Sequence, residues 1–205
     1  MMNTFRMLFA IAMLFVCIPS HAILIQGPSF ITPSTSIPTC GAICGGVGSD
    51  INQIADGDVS NLNGFAGFDG VVGIITLDLL GNFDLDSFTL WNDINVFREG
   101  VGTFQLNFFD ELDNFIQTTP VLTAPISSIA PQTYNFASTV NNVSKVELET
   151  LTLLTGSAFC CRIEIREVAF NGEKSSQVPE PSIIALFGMG ILGLGLARRR
   201  RTRHS

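Results

Sequence analysis

Three clusters of side chains carry oxygens and rings at spacings that could do chemistry. Asp56-Gly57-Asp58-Val59-Ser60-Asn61 sets carboxylates and backbone carbonyls on a tight glycine-containing loop, and a hard cation such as calcium takes six to eight oxygens of that kind. The plainer alternative is a solvated Asp-Gly-Asp turn. The stretch from Trp91 to Glu99 offers Trp91, Asn92, Asp93, Asn95 and Arg98 near the end of a strand. An aromatic face beside planar polar groups suits a sugar. With one Trp and one Tyr in the whole sequence, however, provision for stacking is sparse, and Trp91 reads first as a core residue. Asp110-Glu111-Leu112-Asp113-Asn114 reads as a solvated hairpin end, with a cation site as the second choice.

Much catalysis is excluded at once. Both histidines, His21 and His204, fall in terminal segments, so the body between them lacks the histidine of a Ser-His-Asp triad, a Cys-His pair or an HExxH zinc site. Carboxylates are numerous enough that some pair will lie at glycosidase spacing by chance, and no pattern singles one out. The body is therefore expected to be non-enzymatic, with a glycoside-active enzyme as the remote alternative. Residues 23–181 hold all 18 Asp and Glu but only Arg98, Lys145, Arg162, Arg166 and Lys174 as cations. Such an acidic body opposes a nucleic-acid partner, because phosphate binding needs a basic face.

The elements that must position these groups are strands. Ser87–Trp91, Thr103–Phe108 and Lys145–Leu151 alternate polar and apolar, and Arg162–Arg166 does so with its charges expected outward. Val71–Leu80 is rich in branched apolar residues and ends at Gly81-Asn82, while Phe115-Ile116, Val121-Leu122 and Tyr134–Phe136 are shorter candidates. Many short strands separated by turn signals such as Glu99-Gly100 and Pro131-Gln132 predict an all-β sandwich or barrel over residues 23–175. About 150 residues can bury one good core, and 17 Phe supply it.

Ala55-Asp56-Gly57-Asp58, then Leu90-Trp91-Asn92-Asp93, then the closing Arg166-Glu167-Val168-Ala169-Phe170-Asn171-Gly172 follow an order that resembles galactose-binding-like jelly rolls. That superfamily includes discoidin domains and many carbohydrate-binding modules. The resemblance implies a jelly-roll β-sandwich with a structural calcium between an early Asp-Gly loop and a late Glu. On matching positions Asp56 would ligate through its side chain, Asp58 through its carbonyl and Glu167 from the last strand. Asn61 stands where the family often has Thr.

The two ends read as addresses. Residues 1–22 have Arg6 in a charged lead, an apolar run from Met7 to Ile18, and small residues at Ser20 and Ala22, the pattern of a cleaved secretory signal peptide. Cleavage discards Cys17 and leaves Cys40, Cys44, Cys160 and Cys161, which an exported chain would place in two disulfides of three possible pairings. Chain entropy favours clamps that close about 120 residues over a local 40–44 loop. Adjacent Cys160-Cys161 fits a zinc site poorly.

Residues 176–205 carry Pro179-Glu180-Pro181, an uncharged run over 182–197, then Arg198-Arg199-Arg200-Arg201-Thr202-Arg203. A helix over that run would reach about 24 Å, marginal for a hydrocarbon core near 30 Å, which suits a transient stop-transfer span with its arginines held in the cytoplasm. Within it, Gly188-Met189-Gly190-Ile191-Leu192-Gly193 fits G-x-G-x-x-G. It lacks the preceding strand and the downstream acid of a dinucleotide site, so it reads as a flat helix face. The triplet, span and arginine cluster, in that order, resemble the PEP-CTERM sorting signal of Gram-negative bacteria. That resemblance implies an exosortase-type partner cutting near Pro179-Glu180-Pro181. It also implies export across the inner membrane, a temporary membrane anchor, and delivery to the cell surface or extracellular matrix. There the body is expected to bind or organise polysaccharide; a structural matrix protein without a specific ligand is the rival.

Overall fold

The computed structural model describes residues 21–40, 48–60, 62–92, 94, 99–125, 130–154 and 162–175. The expected leader (apart from His21 and Ala22), Cys44, Asn61, Asp93, Asn95, Arg98, Cys160, Cys161 and the segment from residue 176 lie outside them. The chain divides after Lys174 into two units. Among the described residues no helix is long and apolar enough to cross a membrane.

Among the described residues nine strands form the body: β1 (Ile23–Ile25), β2 (Ile31–Thr35), β3 (Phe65–Ala66), β4 (Ile74–Asn92), β5 (Val101–Phe109), β6 (Phe115–Thr118), β7 (Leu122–Thr123), β8 (Gln132–Leu153) and β9 (Glu164–Lys174). A short 3-10 helix, Ile51–Ala55, precedes β3. Every strand pairing is antiparallel. The first half of β4 lies between β2 and the second half of β8, which continues to β5 and then to β6 and β7. The second half of β4 lies between the first half of β8 and β9, which carries β1 and β3 on its far side. Two long strands thus belong to both layers of the sandwich.

Here the structure corrects the shorter strands expected from sequence. Gly81-Asn82 reads as a stop, yet β4 passes straight through it, and Tyr134–Phe136 joins Lys145–Leu151 in one strand, β8. Both strands turn at a shared corner. The register shifts there between Asp78 and Ser87, and Gly81 and Asn142 take positive φ values of 147° and 58°. Bulges at this point bend strands from one layer into the other. The Asp84 carboxylate accepts from the Asn142 backbone N–H at 2.8 Å, fixing the bend.

Phenylalanines fill the space between layers. Phe65, Phe88, Phe104, Phe108 and Phe170 are fully buried, each contributing about 1.5–3 kcal/mol of apolar burial. Phe88 is the centre, with ring centroids 5.2 Å from Phe170 and 5.9 Å from Phe104. The alternation read in Lys145–Leu151 holds, since Val146, Leu148 and Thr150 are buried.

The alternation read in Arg162–Arg166 does not hold. Glu164 is 0% exposed and Arg166 5%. The 3-10 helix, the loop at Gly57 and Val59, and β3 pack along β9, so the strand is covered on both faces and its charges turn inward onto partners. A bulge at Arg166, where Trp91 faces Glu167 but Asn92 faces Ile165, re-aims these side chains.

Candidate functional site

The end of the sandwich opposite the corner gathers the ends of β2, β4, β5, β8 and β9, and the connections 93–98 and 155–161 leave from it. Trp91 is partly buried and stands outside the core, contrary to its first reading. Asn92 has the opposite fate. It is 2% exposed, and its amide bridges Val101 on β5, donating to the carbonyl at 2.8 Å and accepting the N–H at 2.9 Å. That amide ties the 93–98 connection to β5 and, being buried, is turned inward rather than toward a ligand. Gly100 makes this approach possible, because a Cβ there would lie 2.5 Å from the Asn92 oxygen. The remaining sugar-facing candidates, Asp93, Asn95 and Arg98, belong to that connection and lie outside the described residues.

The Asp-Gly loop sits beside it. Leu62 donates its N–H to the Ile94 carbonyl at 3.0 Å, so the loop and the connection are joined directly. The loop is pinned to β9 by the Gly57 N–H on Glu167 at 3.3 Å and by Arg166 on the Val59 carbonyl at 3.3 Å. Asp58 spends its carboxylate on the Ser60 N–H. Its carbonyl and both Asp56 carboxylate oxygens converge on one atom, the Asn63 Nδ2, at 3.0–3.1 Å. A single amide nitrogen with two hydrogens thus faces three acceptors.

Glu167 is 0% exposed and its Oε1 has no hydrogen bond of standard geometry. Burial pushes its pKa up to about 8, against the pull of the Gln26 amide and nearby backbone N–H groups. A carboxylate, a carbonyl and a buried, unsatisfied carboxylate oxygen around one loop are oxygens of the type a hard cation takes. Asp56, the Asp58 carbonyl and Glu167 are the groups that would hold calcium there. Asn61, the fourth expected ligand, lies outside the described residues. Among the described residues no group of three or more His, Cys, Asp or Glu side chains forms a metal cluster, so backbone oxygen is essential to any such site.

The floor of this end is an ionic hub that sequence reasoning missed. Arg162 donates to Glu164 at 2.6 Å and to Glu99 at 3.0 Å, approaches Asp69 at 3.7 Å, and points Nη1 at the Cys40 sulfur at 3.6 Å. Glu164 also accepts from the Ile94 N–H at 3.4 Å. Burial opposes the Arg162 charge, but Glu164, Glu99 and Asp69 outweigh it and raise its pKa. Burial likewise drives Glu164 upward against the attraction of Arg162. Cys40 is buried and disulfide-bonded; Cys44, Cys160 and Cys161 lie outside the described residues. No local pattern announces this hub, since Asp69, Glu99 and Arg162 meet only through the fold.

Residues 177–201 match the PEP-CTERM protein-sorting motif. This chain carries a PEP-CTERM sorting signal at its C-terminus. The body has the fold of family 32 carbohydrate-binding modules and F5/8 type C domains. It superposes on the family 32 module of Clostridium perfringens NanJ, solved with galactose, at TM-score 0.57 and 10% identity, covering 74% of this chain and 99% of the module. The F5/8 type C domain of a Bacteroides fragilis protein gives TM-score 0.52 and 12% identity over 76% and 97% of the two chains. The Clostridium perfringens module CpGH89CBM32-5, solved with GalNAc-β-1,3-galactose, gives 0.53 and 15% over 72% and 99%. No curated protein matches the chain in sequence.

Proposed function

We propose that the chain is exported, processed at its C-terminal signal by an exosortase-type enzyme, and delivered to the cell surface or extracellular matrix, where its sandwich binds polysaccharide without transforming it. The observation that carries this reading is the joining, in one chain, of a sorting motif at 177–201 with a body that spans nearly the full length of a carbohydrate-binding module. Relatives of that fold were solved with galactose and with GalNAc-β-1,3-galactose, and uncharged saccharides of that class are the first ligands to try. Oxidised Cys40 is in keeping with an exported chain.

On this reading the end opposite the corner, the open end, is the binding end. Asp93, Asn95 and Arg98 contact the sugar beside the partly exposed Trp91, while Asn92 and Glu164 hold the connection that carries them. Calcium, bound by Asp56, the Asp58 carbonyl and Glu167, would stiffen the Asp-Gly loop and, through Leu62 and Ile94, the binding connection. Hydrolysis is not part of the proposal: Glu99 and Glu164 are turned onto Arg162, and Glu167 onto the loop. One observation favours a structural matrix protein instead, namely that Asn92, a natural sugar ligand, is spent inside the fold.

The deciding experiment is retention of oxidised residues 23–175 on a panel of immobilised extracellular polysaccharides, with and without calcium. Saturable binding strengthened by calcium is expected. A folded domain retained by none of them would leave the structural matrix reading.

A further inference from the structure

A second surface on the flank of the sandwich has the chemistry of a saccharide site. Between β6 and the first stretch of β8 lies a groove of about 380 Å³, lined by Gln117, Pro120, Leu122, Tyr134, Asn135 and Phe136 among others. This is within the usual range of ligand pockets, about 300–1,000 Å³. The groove is made by an irregularity in β8. Between the pairs Leu85–Val140 and Ser87–Asn135, β8 spends more residues than β4 does, so Phe136–Thr139 bulge away from the ladder. Bulges of this kind re-aim side chains and are common beside functional sites.

Three features say what would lie there. The side-chain amides of Gln117 and Asn135 are exposed and make no hydrogen bond among the described residues, so each offers a donor and an acceptor to hydroxyl groups. Behind them, Tyr134 and Phe136 are partly buried and braced from within, Tyr134 at 5.2 Å from Phe104 and Phe136 at 5.2 Å from Phe108. They give a rigid apolar wall for the C–H face of a sugar. No charged side chain lines the groove among the described residues, and from Asn114 to Ser144 the sequence has none; the Asp86 carboxylate meets the bulge at Thr139, outside the lining. An added peptide strand would need a regular ladder of edge hydrogen bonds, which the bulge interrupts.

We propose that this flank is a second binding surface, for an uncharged glycan chain, separate from the open end. The inference rests on the glycan-binding reading and sharpens it. Two saccharide surfaces on one domain would let a single molecule bridge two chains, with avidity beyond either contact.

The test is a map of backbone amide shifts in isotope-labelled residues 23–175, which hold every described strand and the described core. The probes are GalNAc-β-1,3-galactose and an uncharged β-linked glucan tetrasaccharide. The expected result is a set of saturable shifts over 117–122 and 134–138 in addition to those around the open end. Gln117→Ala with Asn135→Ala should weaken the flank set at least tenfold and leave the rest of the spectrum in place. Shifts confined to the open end would overturn the flank site while the binding reading stands. An absence of shifts anywhere would overturn both readings.

Discussion

Two acidic neighbourhoods sit at opposite ends of this sandwich and behave differently. At the corner end, the β5–β6 hairpin satisfies itself. Asp110 accepts the N–H groups of Leu112 and Asn114 at 2.9 Å each and the Asn114 amide at 3.0 Å, and Lys145 pairs with exposed Asp113 at 2.5 Å. At the open end, Asp56 and the Asp58 carbonyl share one amide nitrogen, and Glu167 is buried with an oxygen left over. Both loops are rich in Asp and Asn, so composition does not separate them. The separating feature is a buried carboxylate from a distant strand that the local loop cannot satisfy. Burial makes such a group costly unless a cation or a proton completes it.

The largest effect expected from this contrast concerns the two cations. Arg162→Ala would leave Glu164, 0% exposed, without its counter-charge. Breaking a buried pair in this way costs about 3–5 kcal/mol, so chemical denaturation of residues 23–175 should show a loss of that size or a failure to fold. The corresponding change at the hairpin, Lys145→Ala, belongs at the other end of the scale.

Next in size is the response to calcium. Saturation at about 100 times Kd stabilises by about 2.7 kcal/mol, so wild-type Tm should rise on calcium addition. Glu167→Gln should remove the rise, and Asp110→Asn should leave it intact. A rise lost in Asp110→Asn instead would reverse the comparison and make the hairpin the cation site.

A further effect separates the ends by pH. Glu167 holds its proton up to about 8 in the folded state against an ordinary value of 4.5. The folded chain therefore binds more protons than the unfolded one between those values, and stability falls as pH rises from about 5 to 8. Glu164, also raised, works in the same direction. Calcium, by taking the Glu167 carboxylate, should flatten the fall. At the hairpin, Asn114 holds Asp110 below its ordinary 3.8, so its contribution is present at neutral pH and is lost only in acid. Thermal melts at pH 5, 6.5 and 8, with and without calcium, would show whether the slopes follow this pattern.

The smallest effect is that of Lys145→Ala. Its pair with Asp113 is largely exposed on the acid side, and such pairs contribute about 0–1 kcal/mol. A loss near that of Arg162→Ala would erase the distinction between the two ends.

These contrasts mark what the sequence could and could not disclose. The period-2 pattern of Lys145–Leu151 and the Phe content announced the sandwich, because half-buried strands write their alternation directly into sequence. The meeting of the Asp-Gly loop with Glu167 was legible through a resemblance to a known arrangement, and the fold does bring Gly57 against Glu167. The continuity of β4 through Gly81-Asn82 was not legible, since a glycine that bends a strand and one that ends it look alike. The inward turn of Glu164 and Arg166 was hidden too, because alternation cannot show that the 3-10 helix and the loop at Gly57 and Val59 cover the outer face of β9. Asn92 looked like a sugar ligand by type; only the closeness of Val101 and Gly100 reveals its role in holding the loop.

The central claim, saccharide binding at the open end, is tested most directly by titrating galactose and GalNAc-β-1,3-galactose into residues 23–175 beside the variant Asn95→Ala with Arg98→Ala, both in calcium. The account predicts saturable binding by the wild type that weakens at least tenfold in the variant, with Tm unchanged. Equal affinity in the two proteins would contradict it, as would no binding to a wild-type domain whose melt is cooperative.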